Sequence, residues 1–388
     1  MAPPTDSVAL VPGTAVAPGA MARTVTRMEA NLDTGPVAEK GARWSRSPDA
    51  TTVRTVSSLM VEARRGPARE SVHRVSVAVV DAAGVRVAWN GDPRFPTFLR
   101  SAAKPFQAIP LVADGAASRF GVTEPELALA CASHNSEMRQ VAIVRGLLER
   151  IGCAERDLAC GPHRALALDL AVPPDGEPPP DDLAPPSPLA SNCSGKHTGM
   201  LALARELELP TAGYEHRDHG VQRRCRDEVA RWTGVKPQDI RDGVDGCGVV
   251  SFQVPLEALA LGFARLGTTD DPAATAVRNA MSRHPDLVAG RYRLCTELMQ
   301  RYPGEIVAKV GADGVYGVTL PRRGLGVGIK VEDGHARATM VALIAVLDQL
   351  GLDPLPSQAL PRFARFPVLN TRGIEVGALG AAGSLTFE

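Results

Sequence analysis

What most limits the fold of this 388-residue chain is where strand-like alternation falls: near both ends and not in the middle. Val75, Val77 and Val79 alternate with smaller residues, Ala82-Ala83-Gly84 supplies a turn, and Val85-Arg-Val-Ala-Trp89 returns. That segment reads as a β-hairpin. Alternation comes back at Glu305–Lys309, Val315–Leu320 and Gly324–Val331, with Ile374-Glu-Val376 as a last strand. Between these ends the spacing is helical. Thr123-Glu-Pro-Glu126 is a helix-start signature, and Val144, Leu147, Leu148 and Ile151 fall on one helix face. A second amphipathic helix spans 336–350, and Gly351 stops it. The economical arrangement is one antiparallel sheet built from both ends, covered by helices, with a helical region inserted beside it. A site is expected in the cleft between the two parts.

Composition removes several function classes. Lys plus Arg and Asp plus Glu balance at 43 each, so no nucleic-acid or anionic-membrane partner is implied. No run of about 18 apolar residues offers a membrane span. The seven cysteines are odd in number and irregular in spacing, which argues against a secreted disulfide framework. With no basic-then-apolar leader pattern, a cytoplasmic location is expected. Residues 1–52 are rich in Pro, Ala, Thr and Ser without a period, and read as a disordered extension. The folded domain then runs over 53–380, and 381–388 reads as a tail. The loop at 171–189 includes a stretch, 173–188, that holds eight prolines, so it reads as an exposed loop or hinge.

Only six lysines stand against thirty-seven arginines, and three of the six sit in motifs with chemical content. A lysine can lose its proton near neutral pH, where a guanidinium cannot. Ser101-Ala-Ala-Lys104 spaces a hydroxyl and an amine one helical turn apart, and Pro105 places them at a helix start. A Ser–Lys nucleophile–base pair needs that spacing. Ser133, in Cys131-Ala-Ser-His-Asn-Ser-Glu137, falls at a junction between helices and offers a second hydroxyl; a plain helix cap is its ordinary alternative. Lys309-Val-Gly311 ends a strand, like the Lys-Thr-Gly triplet that closes the site of serine β-lactamases and penicillin-binding proteins. Asn192-Cys-Ser-Gly-Lys-His197 and Asp245-Gly-Cys-Gly248 bring two glycine-flanked cysteines and a lysine. Two thiolates are good zinc ligands, and Asp or His could complete a site, although buried structural cysteines are the commoner use of such residues.

Six ordered segments together resemble the rhizobial-type (class 3) L-asparaginase II family: Arg100-Ser-Ala-Ala-Lys-Pro-Phe-Gln-Ala108, Ser133-His-x-x-Glu137, Asn192–His197, Asp245–Gly248, His284-Pro-x-Leu-Val-Ala-Gly290 and Lys309-x-Gly-Ala-x-Gly314. The resemblance implies an α/β fold, a serine-β-lactamase/glutaminase-like antiparallel sheet sandwiched by helices with a helical subdomain, commonly homodimeric. It implies hydrolysis of L-asparagine to L-aspartate and ammonia. By motif, the Ser–Lys pairs are Ser101–Lys104 and Ser133–Lys309, with Lys330 the alternative to Lys309. Arg100, His134, Glu137 and Asp245 are then candidate substrate-binding residues, and Cys193, Lys196 and Cys247 candidate ligands of a Zn2+ ion. Two rival functions remain open at this point: a β-lactamase- or peptidase-like Ser–Lys hydrolase, and a zinc-stabilised binding protein without turnover.

Overall fold

The computed structural model describes residues 58–388, so the extension at 1–52 lies outside the described residues. The expected hairpin forms from β2 (Ala68–Asp81) and β3 (Arg86–Asn90), preceded by β1 (Met60–Arg65). A short β4 (Pro96–Phe98) follows. The middle of the chain contributes β5 (Arg241–Val244) and β6 (Val250–Pro255). Late strands are β7 (Val307–Gly311), β8 (Val315–Leu320), β9 (Leu325–Val331), β10 (Arg365–Leu369), β11 (Glu375–Ala382) and β12 (Thr386–Phe387).

Two sheets result among the described residues. The larger has nine strands in the order β10-β11-β1-β2-β9-β8-β7, with β3 on β2 and β12 on β3. The smaller is β4-β6-β5. Every pairing between these strands is antiparallel. The early strand β2 pairs with the late strand β9 from Val75↔Val331 to Asp81↔Leu325, which joins the two ends of the chain in the sheet centre. The sequence reading set 381–388 apart as a tail; in the structure Ala381 and Ala382 close β11, and Thr386 pairs with Trp89. A single strand-like tripeptide near the end was too short to reveal that these residues complete an edge.

Six helices position the site: α1 (Lys104–Ala113), α2 (Glu124–Ala130), α3 (Met138–Arg150), α4 (Ser194–Glu206), α5 (Leu256–Thr268) and α6 (Ala336–Gln349). Helix α2 starts with the capping box of Thr123 and Glu126 that its sequence announced. The face of α3 at Val144, Leu147 and Leu148 is buried, as is Ile151 just beyond it. Helix α5 packs on β2, β8 and β9. It lies close because the facing strand positions lack side chains. A Cβ on Gly326 would stand 1.9 Å from the Ala260 carbonyl oxygen, and one on Gly317 would stand 2.0 Å from the Phe263 ring. Helix α6 packs on β1, β9 and β11. The molecule is a mixed α/β structure with an antiparallel sheet and packed helices. No helix among the described residues is long and apolar enough to cross a membrane.

The proline-rich stretch contains no helix and no paired strand between Ala171 and Pro188, apart from a bridge of Leu183 to Glu137. It is tied down along its length. Val172 N donates to Tyr292 O at 2.8 Å, Met138 N to Asp182 O at 2.9 Å, and Ala184 N to Ser136 O at 2.8 Å. The loop is thus fastened to the segments that flank Ser133 and Arg293.

Candidate active site

Lys104 is the first residue of α1, reached through a 3-10 turn at Arg100–Ala103. Ser133 comes three residues after α2 ends, and its N–H donates to Val288 O at 2.9 Å. Lys309 sits in mid-β7 opposite Gly317. All three are buried, with Lys104 and Lys309 fully so. The Lys309 ammonium nitrogen donates to Ser133 Oγ at 2.8 Å and to Val310 O at 2.8 Å. Lys104 Nζ donates to Ser133 Oγ at 3.1 Å and also to the Ala132 carbonyl. One serine hydroxyl therefore lies between two buried amines. Burial, and then the neighbouring Lys104 charge, push the Lys309 pKa well below the usual lysine range, so its neutral form is favoured. Lys330, the alternative by sequence, instead donates to the Asp313 carbonyl and lies away from Ser133.

Ser101 is placed differently. Its spacing suggested a direct bond to Lys104, yet among the described residues Lys104 is bonded to Ser133 and Ala132. Ser101 instead lines a cavity of about 280 Å³ together with Arg100, His163, Asn192, Cys193 and Cys247. Arg100 holds a left-handed backbone at φ 49°, a strained conformation for a non-glycine residue that is common beside reacting groups. Its guanidinium donates to Asp245 Oδ1 at 2.9 Å and to the Asp313 carboxylate. Burial would raise the Asp245 carboxyl, but the charges of Lys196 and Arg100 and the Gly246 N–H outweigh it and hold it below its ordinary value.

The remaining candidates fall into two groups. His134 is buried beside the lysines, and its Nε2 meets Ser194 Oγ at 2.9 Å. Burial, then the Lys104 charge, pull its pKa down to about 3, so the ring is neutral. Glu137 is engaged in holding loops together. It caps α3 with Gln140, and its Oε1 accepts from Arg291 N at 2.8 Å and Asn135 Nδ2 at 2.9 Å. Two groups escaped the sequence reading. His163 lines the cavity and accepts from Asn192 N at 2.8 Å, but no motif surrounds it. Arg293, almost fully buried, donates to Asn135 Oδ1 at 2.9 Å; it lies three residues past the His284–Gly290 motif, which was the available signal.

Cys193, Lys196 and Cys247 do converge. Lys196 Nζ lies 3.0 Å from Cys247 Sγ. The two thiols share a hydrogen bond, which favours the thiolate on Cys193 and the thiol on Cys247. Burial opposes the Lys196 charge, but Cys247, Cys193 and Asp245 outweigh it and raise its pKa. Cys247 itself is held protonated. The consistent state has one thiolate, on Cys193, beside one ammonium. Two sulfurs and an amine are donors suited to Zn2+, provided Lys196 gives up its proton on binding, but among the described residues no third Cys, His, Asp or Glu joins the two cysteines.

The profile of the family described as L-asparaginase II matches residues 61–381. This chain belongs to the L-asparaginase II family. No curated relative matches. Among solved structures, the native form of Mglu is similar at 16% identity and a TM-score of 0.38, over 69% of this chain and 63% of that one. A β-lactamase from Mycobacterium bovis is similar at 15% identity and a TM-score of 0.29, over 72% and 96%. A SurE structure with D-Leu has 15% identity and a TM-score of 0.29, over 77% and 72%. The matched part of this chain thus spans less than two thirds of the Mglu chain's own length.

Proposed function

We propose that this L-asparaginase II family member hydrolyses the side-chain amide of L-asparagine through a Ser–Lys acyl-enzyme, on the serine-β-lactamase/glutaminase-like sandwich that its motifs imply. The observation that carries the reading is the Ser133 hydroxyl held between the Lys104 and Lys309 nitrogens, with Ser101, three residues before Lys104, lining a cavity. Ser101 is the nucleophile, because a nucleophile must touch substrate and Ser101 lines the cavity. Its oxygen bonds to the amide carbon, the C–N bond breaks, and the nitrogen leaves with a proton as ammonia. Water then adds to the ester carbon and releases aspartate and the serine hydroxyl. Lys104, Ser133 and neutral Lys309 carry the protons to and from Ser101. Bonds of this kind are often longer in a free enzyme and tighten with substrate, which fits the absence of a direct Ser101–Lys104 bond.

Arg100 and Asp245 orient the charged ends of the amino acid, and neutral His134 supports the loop of Ser133 from behind. A Zn2+ ion, held by Cys193, Cys247 and Lys196, would supply a fixed positive charge at the cavity wall. The serine chemistry does not depend on it in this reading. The enzyme is read as a cytoplasmic homodimer.

A second reading has its own support. Ser133 is the hydroxyl with two amines in hydrogen-bond reach, so it is the better activated of the two. Ammonia release from L-asparagine by wild type, Ser101→Ala and Ser133→Ala, with mass spectrometry of the trapped ester, tests both. An ester on Ser101 supports the first reading, and an ester on Ser133 the second. Normal turnover by both variants removes the Ser–Lys mechanism, and no turnover by the wild type favours the binding-protein or peptidase-like alternatives.

A further inference from the structure

A second cavity, of about 390 Å³, adjoins the first between the small sheet and the β8–β9 hairpin. Arg100 lines both cavities, and the adjacent residues Ala312 and Asp313 line one each and the other. The wall between them is thus the Arg100–Asp313 ion pair. The Asp313 side chain is 66% exposed, and an ion pair so open to water is a weak tie.

The chemistry of this cavity is mixed. One wall is apolar: Pro96 and Phe98 of β4, Val244 at the end of β5, and Val315 of β8. Val244 is 81% exposed and Phe98 38%, large apolar groups left uncovered at the mouth of a cleft. Lys330 also lines the cavity, beside Val315 in the β8–β9 register. Among the described residues its ammonium makes no ion pair; it donates to the Asp313 carbonyl. Burial lowers its pKa and outweighs the Asp333 and Glu332 carboxylates, which raise it. With Arg100 and Lys330 against Asp313, the formal charge of the lining is +1. Ser251 forms part of the floor, and its buried hydroxyl has no hydrogen-bond partner among the described residues.

We propose that this cavity is a subsite for the residue that follows asparagine in a short peptide, with its apolar side chain on Phe98 and Val244 and its terminal carboxylate on Lys330. The proposal rests on the amidohydrolase reading above and extends its substrate class from the free amino acid to small asparaginyl peptides. Free asparagine presents its α-carboxylate to Arg100. When that carboxyl is instead amide-linked, the next residue leads past Arg100 toward the second cavity, and its own carboxylate reaches the cation there. The reaction is unchanged: water replaces the side-chain nitrogen, ammonia leaves, and the peptide bond stays intact.

The test compares L-asparagine, asparaginyl-leucine and asparaginyl-leucine amide on wild type, Lys330→Gln and Val244→Glu, reading ammonia release. Val244 is exposed, so its variant retains the fold. Wild type is expected to release ammonia from both asparagine and the dipeptide. Lys330→Gln and Val244→Glu are expected to lower kcat/KM for the dipeptide by about tenfold or more, the loss or repulsion of one charge-assisted contact, while asparagine stays within about twofold. The dipeptide amide, lacking the carboxylate, is expected to be indifferent to Lys330→Gln. Wild type that turns over asparagine but neither hydrolyses nor is inhibited by the dipeptide overturns the subsite and leaves the amidohydrolase reading standing. Equal losses on asparagine and dipeptide in both variants also overturn it. Inactivity on every substrate overturns both readings together.

Discussion

Lys309 and Ser133 are 176 residues apart in sequence and 2.8 Å apart in space. The contact joins a late strand of the large sheet to the turn that follows α2. Because Lys309 is fully buried next to Lys104, two positive charges side by side are disfavoured, and one of the two amines gives up its proton most readily. Ser133 is bonded to both, and in the proposed mechanism it passes that proton between them.

The depressed pKa of Lys309 sets the direction of a pH profile. A base must be neutral, so kcat/KM should rise as pH climbs through the folded-state value of Lys309 and level off well below the usual lysine range near 10.4. Stability shifts in the same direction. Below the folded value Lys309 penalises folding, and the penalty fades as pH rises toward the unfolded value, because the unfolded chain binds that proton more tightly. Activity measured from pH 5 to 10 checks this. A limb that appears only near pH 10 would remove Lys309 from the base role.

Much of this site was legible because it is built from local motifs. The six segments carry their own turn and cap chemistry, as with the Thr123–Glu126 box, and their order along the chain selected the family. The sheet was legible at its centre, where β2 and β9 alternate strongly, and faint at its edges. The β10–β11 pair is half-exposed with Gly and Ala at many positions, so no alternation marks it. The small sheet carrying Val244 beside Asp245 was missed because β4 and β5 span only three and four residues, too few to show a period. The partner of Lys104 could not be read from spacing, because the serine it meets is Ser133, 29 residues further along the chain. His163 has no sequence signal at all, since its role comes from a backbone N–H 29 residues away.

Lys104→Arg should abolish turnover. The guanidinium keeps the charge but cannot deprotonate, and the loss of a general base typically lowers the rate by about 10²–10⁴. Because Lys104 is fully buried, the larger side chain could disturb folding, so Lys104→Met serves as a second variant of similar length. Circular dichroism establishes the fold, and ammonia release reads the rate. A folded variant of either kind with near-normal turnover would take Lys104 out of the proton path.

The cysteine–lysine cluster predicts a metal dependence with its own signature. Wild type should carry about one zinc per chain, and Cys193→Ala should carry none, since three protein ligands cannot spare a thiolate. Zinc affinity should fall as pH drops, because protons compete for the sulfurs and for Lys196. Elemental analysis beside asparagine kinetics reads both. Equal metal in the two proteins defeats the ligand assignment, while metal loss with KM unchanged confines the ion to holding the 193 and 247 loops.

Gly195 ties packing to the site more tightly than any other glycine near it. It sits in the first turn of α4, between Cys193 and Lys196, and a Cβ there would stand 2.2 Å from the Leu129 carbonyl oxygen on α2. That neighbour is backbone and cannot rotate away, so Gly195→Ala must push α4 from α2. Overpacking of this kind costs about 1–3 kcal/mol, and urea denaturation should show a loss of at least about 1 kcal/mol. The displacement should also reach function, because α2 leads directly into Ser133 while α4 carries Lys196 and follows Cys193. Activity should therefore fall even under conditions where the variant is fully folded. Unchanged stability would mean the two helices are not in the close contact described, and lost stability with full activity would mean the site is not held by that contact.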